Sequence, residues 1–328
     1  MFSLISNLIS QTLSYSSTLL FGATGEILTE KSGNLNLGTP GIMSIGGVCA
    51  VAASYYYTSA VDVINPFIAI LVTLLATVLG SLFTAFIFCY LTITLKANQN
   101  VTGLALTTFG VGLSNFVGGI INNKAEGSTG ISAFPEISTV YQTSLPFAEK
   151  LGFIGKSFLT SGFMTYFAII IAIVLSLIIT RTRIGLNLRA VGENPATADA
   201  AGINVNKYKY VATCLGGVIS GLGGLHFVMQ YLSGGWNKSA VEQFGWLAVA
   251  LVIFAVWRPV LAFIGSFVFG ALYVIPLSLP NIPSKTLQLL ELLPYVVTIV
   301  VLAITSMRKK RETQPPENLG VTYFREER

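Results

Sequence analysis

The sequence predicts an all-α, polytopic membrane protein with about nine transmembrane helices (eight to ten), some of them broken or re-entrant. Of its 328 residues, 53% are hydrophobic and only 10% are charged, and the mean hydropathy is +0.72. A soluble domain carries about 25% charged residues, so this composition indicates burial in lipid. Apolar stretches also recur along the chain at lengths that cross a hydrocarbon layer about 30 Å thick.

Nine such stretches predict spans. In chain order they are 6–27, 40–59, 66–92, 101–121, 160–180, 210–232, 243–257, 260–279 and 288–307. The seventh is short because Glu242 and Arg258 bound it. It is the stretch that we expect to be tilted, broken or re-entrant, which is allowed at membrane depth only when protein surrounds it.

The positions of lysine and arginine predict the orientation. Most of the 19 fall on one side when the first loop is placed in the cytoplasm. We therefore expect a multi-pass membrane protein with the N-terminus outside and the C-terminus in the cytoplasm. The transmembrane domain covers 1–307, with a cytoplasmic loop at about 181–209 and an outer loop at about 122–160. Residues 308–328 form a cytoplasmic tail.

Catalytic chemistry is not predicted. The three cysteines lack CxxC spacing, and no nucleophile–base or metal-ligand arrangement is present in the sequence. We expect no enzyme activity, no metal and no cofactor bound by this chain. Basic residues are not interleaved with aromatics, so no nucleic-acid partner is expected. His226, the single histidine, is interpreted either as a hydrogen-bonded packing residue or as a functional group at membrane depth.

The predicted cytoplasmic loop at about 181–209, which we call the charged loop, contains "ENPATADAAG". This stretch predicts a short capped helix. Asn194 is a good N-cap, and Pro195 suits the first helical position. Gly202 can adopt the left-handed conformation that ends a helix. Small side chains between the caps let another surface approach closely. From this stretch alone, a plug for a soluble partner and an ordinary solvated loop are both open interpretations.

Three stretches resemble a known family. "TRIGLNLRAVGENPATADAAGI" resembles the cytoplasmic coupling loop of ABC importer permeases of the branched-chain amino acid and simple-sugar superfamily. "GEILTEKSGNLNLGTPGIMSIGG" and "LKANQNVTGLALTTFGVGLS" are similar to its nucleoside (simple-sugar-type) branch. The chain departs from the pattern at Thr39–Gly41, where the family usually has a glutamate before the glycine, and at Asn100, where an apolar residue is common.

The resemblance implies a permease of a bacterial-type plasma membrane that forms a translocation pathway and is driven by other subunits. Its partners would be a cytoplasmic ABC ATPase that uses ATP, a second permease (a hetero- or homodimer), an extracytoplasmic solute-binding (lipo)protein and a small neutral solute. The ATPase would contact the coupling loop. The residues expected at that contact are Arg189, Glu193, Asn194, Pro195, Ala198, Asp199 and Gly202.

Uncharged hydrogen-bonding residues at membrane depth suit a neutral solute with a flat base and a polar ribose. The residues expected along the pathway are Asn34, Asn36, Asn100, Thr102, Thr107 and Phe109. Threonine and asparagine also serve as hydrogen-bonding contacts between membrane helices, which is the competing interpretation. Alternative substrates are pentose or other simple sugars and branched-chain amino acids. An ion-coupled secondary transporter is a further alternative. It would need acidic groups at mid-membrane, and the sequence has almost none there.

Overall fold

The structure is a computed structural model that describes residues 2–124, 134–144, 152–238, 240–278, 283–290, 292–308 and 314–325. These residues form α-helices, one π-helix and no strand. The helices are α1 (Phe2–Glu30), α2 (Thr39–Ala60), α3 (Pro66–Cys89), π1 (Tyr90–Thr94), α4 (Gln99–Lys124), α5 (Pro135–Gln142), α6 (Gly152–Phe158), α7 (Phe163–Arg181), α8 (Arg183–Glu193), α9 (Pro195–Ala200), α10 (Val205–Gln230), α11 (Ala240–Phe254), α12 (Pro259–Ser278), α13 (Ser284–Leu290) and α14 (Leu293–Arg308).

The helical class is confirmed, and each predicted span coincides with a helix of at least 15 residues. Within the part of the chain that the structure describes, five helical stretches are long and apolar enough to cross a membrane: α3 continued by π1, α4, α7, α10 and most of α12. α11 is apolar but shorter, as expected for the seventh stretch. The exact number of spans, nine, stays a prediction.

α1 lies in the centre of the molecule, where it packs against α6, α7, α10, α11 and α12. Nearly all of its residues from Thr12 onward are buried, including many serines and threonines. Several hydroxyls donate to the helix's own carbonyls, as Ser16 does to Leu13. Because α1 faces protein rather than lipid, it needs fewer apolar side chains than α3, whose large apolar residues are exposed at Phe67, Leu79 and Phe83.

Glycines set the closest helix crossings. Where α2 crosses α10, a Cβ added at Gly46 would lie 2.6 Å from the Gly221 carbonyl oxygen. Small residues are the usual means by which membrane helices bring their backbones together. The two helices therefore pack backbone to backbone at this point.

His226, on α10, is fully buried between α1 and α7. Its Nδ1 lies 2.8 Å from the Thr18 hydroxyl and its Nε2 lies 3.4 Å from the Thr165 hydroxyl. A threonine on each side thus occupies both ring nitrogens. This arrangement supports the packing interpretation.

The two long loops contain helices that the sequence analysis did not predict. In the outer loop, predicted at about 122–160, the described residues include α5 and α6. In the charged loop, α8 precedes the predicted short helix. The Thr182 hydroxyl caps α8 by accepting from the Gly185 amide at 3.1 Å.

Candidate functional site

The predicted capped helix in the charged loop is confirmed as α9. The Asn194 side chain accepts from the Thr197 amide at 2.9 Å, and Pro195 occupies the first turn. Gly202 has φ +83°, the left-handed conformation, and its amide donates to the Asp199 carbonyl at 3.0 Å. Both ends of a helix too short to be stable alone are therefore specified by side chains and backbone geometry.

The residues expected at the ATPase contact divide into three groups. Arg189, Glu193, Asn194 and Gly202 are exposed. Pro195 and Ala198 are buried, and Ala198 packs with Val191, Val205 and Tyr323. Asp199 is partly buried and is bound by the tail: its Oδ2 accepts from the Tyr323 hydroxyl at 3.0 Å and lies 3.1 Å from Arg325 Nε. The outward face of α9 is consequently formed by Thr197 and Ala200, with Ala201 just beyond its end.

α8 connects α9 to the segment between α1 and α2, residues 31–38, which we call the polar loop. Gly192, near the end of α8, lies directly against this loop. A Cβ at Gly192 would be 3.1 Å from the Lys31 carbonyl carbon, 3.2 Å from the Gly33 amide nitrogen, and closer still to the Lys31 carbonyl oxygen. The charged loop and the polar loop therefore meet through backbone, with no side chain between them.

The polar loop also binds two long helices. The Leu35 amide donates to the Gln99 side chain at 2.7 Å, and the Thr107 hydroxyl donates to the Leu37 carbonyl at 2.7 Å, which fixes the loop to α4. The Asn34 amide group donates to the Thr213 hydroxyl on α10 at 3.1 Å. A displacement of the polar loop would thus reach α4 and α10 directly.

Ionisable groups surround the start of the polar loop. Glu30 accepts from the Trp257 indole and Glu26 accepts from the Thr39 hydroxyl; both carboxyl groups are buried. Burial lowers the pKa of Lys31, and the Glu193 carboxylate on α8 opposes this effect. Electrostatic attraction between Lys31 and Glu193 adds to the backbone contact at Gly192.

The predicted pathway residues are only partly brought together. Asn34, Asn36 and Thr107 are buried at the polar loop, whereas Thr102 is partly buried and Asn100 and Phe109 are exposed on α4. Among the described residues, Asn34 Oδ1 has no hydrogen-bond partner. Thr107 uses its hydroxyl to hold Leu37, as the competing interpretation expects.

Three groups at this site were missed by the sequence analysis. Gln99 was not among the predicted pathway residues, and its contact with the polar loop could not be inferred from sequence spacing. Trp257 was placed inside a span, with no sign that it binds Glu30. Residues 314–325 were interpreted as a plain tail, yet they pack on α8, α9 and the polar loop. Each of these contacts joins residues far apart in sequence, for which the sequence carried no signal.

Comparison of the sequence with known proteins identifies a family. Residues 8–302 match the family described as "Branched-chain amino acid transport system / permease component". The nucleoside ABC transporter permease protein NupC of Lactococcus lactis subsp. cremoris is 31% identical over 90% of this chain and 91% of its own length. TsgC13 of Haloferax volcanii, whose name assigns it provisionally to glucose transport, is 32% identical over 99% of both chains. The guanosine ABC transporter permease protein NupQ of Bacillus subtilis is 29% identical over 99% of this chain and 98% of its own.

No solved structure gives a significant match. The family match covers most of the chain and includes α9, α8 and the polar loop. The chain belongs to the branched-chain amino acid transport permease family, and it is the membrane permease subunit of an ABC importer and not an enzyme.

Proposed function

We propose that this permease forms the pathway of a nucleoside importer and that α9 is the helix through which the ATPase moves it. Permeases of this family work with a separate ATPase, which uses the ATP, and with a solute-binding protein. The observation that carries the proposal is the backbone contact between Gly192 and the polar loop. It connects an exposed, capped helix to the residues expected along the pathway.

α9, α8 and the polar loop form a stiff connection because their backbones are packed together. α9 is six residues long and is held to α8 by Asn194, whose amide donates to the Ala190 carbonyl at 2.9 Å. Packed backbone has little freedom to deform, so a push on α9 is transmitted through α8 rather than absorbed. The polar loop would then shift relative to α4 and α10 and change access to the pathway.

The contact with the ATPase can be tested by cross-linking. Ala201→Cys lies beside the exposed face of α9. Ser59→Cys is the control, since it is exposed at the end of α2 that is away from the polar loop. In a background without the native cysteines, the first should trap the purified ATPase and the second should not. Ala198 is buried and is unsuitable for this experiment. Failure of Ala201, Ala200 and Thr197 cysteines to trap the ATPase would contradict the role of α9.

The pathway is proposed to lie along α4 and the polar loop, at the contact with a second permease. α4 exposes a continuous stripe that mixes large apolar and small polar residues, including Leu104, Thr108, Phe109 and Phe116. Aromatic rings can stack on a nucleobase, and the side-chain oxygen Oδ1 of Asn34 lacks a hydrogen-bond partner among the described residues. The names of NupC and NupQ, which refer to nucleoside and guanosine, support this substrate class.

Uptake measurements would identify the substrate. Proteoliposomes containing the permease, its ATPase and its binding protein should take up labelled guanosine or another nucleoside when ATP is supplied. Labelled glucose is the second candidate because of the name of TsgC13. A branched-chain amino acid is third, since its two charges would each need a partner in the pathway. Uptake of glucose or leucine alone would overturn the nucleoside proposal.

Glu26 and Glu30 form a buried acidic pair of the kind that an ion-coupled carrier would use, although the family match identifies this chain as an ABC permease subunit. Both carboxylates accept hydrogen bonds from neighbouring helices or loops, which suits a structural role equally well. Uptake driven by a proton or sodium gradient without ATP would support the carrier, and strict dependence on ATP would exclude it.

We also propose the orientation inferred from charge, with α9 and the tail (308–328) in the cytoplasm and the loop at 122–160 outside. Lys207→Cys and Lys156→Cys are both exposed and lie on the two predicted sides. In intact cells, a membrane-impermeant maleimide should label the cysteine at 156 and leave the one at 207 unmodified. The reverse pattern would place α9 outside and refute the coupling proposal.

A further inference from the structure

The exposed part of α9 is small for a docking surface. Its outward residues are Thr197, Ala200 and the adjacent Ala201, none of which is large or aromatic. Specific protein–protein interfaces bury about 800 Å² on each partner, and aromatic residues are enriched in them. α9 by itself therefore offers neither the area nor an anchoring side chain for a stable contact with the ATPase.

The C-terminal segment Gln314–Arg325 lies beside α9 and is fixed there by backbone hydrogen bonds. The Asn318 amide donates to the Gly192 carbonyl at 3.1 Å, and the Gly320 amide donates to the Gly33 carbonyl at 3.2 Å. The Gln99 side-chain Nε2 donates to the Val321 carbonyl at 3.5 Å. The segment is thus placed by the same α8–polar loop contact that carries the proposed coupling.

Side chains hold the end of the segment on α9. Tyr323 packs against the cluster of Val191, Ala198 and Val205 and donates to Asp199, and Arg325 pairs with the same carboxylate. Their neighbour Phe324 points outward and is 43% exposed, with Lys96 Nζ 6.0 Å from its ring centroid. An aromatic ring is therefore presented on the surface next to the exposed residues of α9.

Two clefts flank this segment. One, of about 580 Å³, is lined by Lys96, Asp199, Gly202 to Asn206 and Tyr323 to Arg325. The other, of about 330 Å³, lies between residues 193–196 and the residues Glu317, Asn318 and Thr322 to Phe324. Tyr323 and Phe324 line both, so this end of the segment separates the two clefts. An exposed aromatic side chain between concave polar surfaces is a suitable anchor for a protein partner, because aromatic residues are enriched at protein interfaces.

We propose that Gln314–Arg325 and α9 together form the docking surface for the ATPase, with Phe324 as its aromatic anchor. This inference rests on the proposed coupling role of α9, with which the segment is continuous. Tyr323 and Arg325 act as positioning residues, because they bind Asp199 and so set the place of Phe324. The ATPase is the single occupant that the position beside α9 selects.

The test is a binding measurement between purified permease in detergent and its purified ATPase. Phe324→Ala should weaken the affinity by at least about tenfold, as expected for an aromatic anchor. Phe324→Tyr should bind like the wild type because the ring is retained. Val63→Ala, at a side chain 80% exposed between α2 and α3, is the matched control and should leave the affinity unchanged. Melting temperatures of all variants should agree, since each changed side chain is on the surface.

A second variant tests whether Tyr323 positions Phe324. Tyr323→Phe removes the hydroxyl that donates to Asp199 while keeping the packing on Ala198, and it should weaken binding by a few-fold. Benzoylphenylalanine at position 324 should cross-link to the purified ATPase on illumination. Wild-type affinity in Phe324→Ala, or no cross-link at 324 while Ala201→Cys does trap the ATPase, would overturn this inference and leave the role of α9 intact. No binding by the wild-type permease would overturn both.

Discussion

Gly192→Ala is the most direct test of the coupling contact. The added methyl group would lie 3.1 Å from the Lys31 carbonyl carbon and 3.2 Å from the Gly33 amide nitrogen, with the Lys31 carbonyl oxygen nearer still. These atoms are backbone and cannot rotate away. The end of α8 and the polar loop must therefore separate by about 1 Å to restore ordinary contact distances.

The size of the effect follows from two opposing contributions. Overpacking of this kind costs about 1–3 kcal/mol. Alanine is favoured over glycine within a helix by about 0.5–1 kcal/mol, which offsets part of that cost. We expect a net destabilisation of about 1–2 kcal/mol, seen as a melting temperature lowered by several degrees. Transport should fall further than stability does, because the altered contact is the one that carries the movement of α9.

The assay is ATP-driven uptake per ATP hydrolysed in proteoliposomes, together with thermal unfolding in detergent. Val63→Ala, at a side chain 80% exposed between α2 and α3, is the control. Gly192→Ala should hydrolyse ATP with a lower yield of transported solute, and the control should match the wild type. If Gly192→Ala melted and transported like Val63→Ala, the contact would be neither tight nor coupling.

Three further substitutions have defined outcomes. Asn194→Ala removes the α9 cap and should lower transport while costing about 1 kcal/mol, measured by uptake and by thermal unfolding. Trp257→Phe leaves the buried Glu30 carboxylate without its indole donor and should destabilise the protein by about 1–3 kcal/mol, measured by thermal unfolding; an unchanged melting temperature would contradict that hydrogen bond. Gly46→Ala brings a methyl group within 2.6 Å of the Gly221 carbonyl oxygen and should destabilise the protein by about 1–3 kcal/mol, measured as a lower melting temperature. Wild-type stability of this variant would show that α2 and α10 separate easily.

The short helix α9 shows what can be predicted from residues that are near one another in sequence. Asn194, Pro195 and Gly202 act within a few residues of one another, so the cap, the first turn and the end could all be predicted. α8 was missed because its exposed face carries charged residues beside apolar ones, a pattern that was interpreted as a charged loop. The exposed position of Asn100 and the buried position of Asn34 were equally beyond prediction, since burial depends on which helices surround a residue.

The sequence by itself determined that the chain is helical and apolar, where its long helices lie, and that a capped helix interrupts the charged loop. These properties depend on composition, hydrophobic length and contacts between near neighbours. Only the tertiary structure decided that Gly192 meets the polar loop, that Gln99 and Trp257 bind it or its preceding helix, and that the tail packs on α9. Those contacts join residues tens to hundreds of positions apart, and their geometry exists only once the helices have packed.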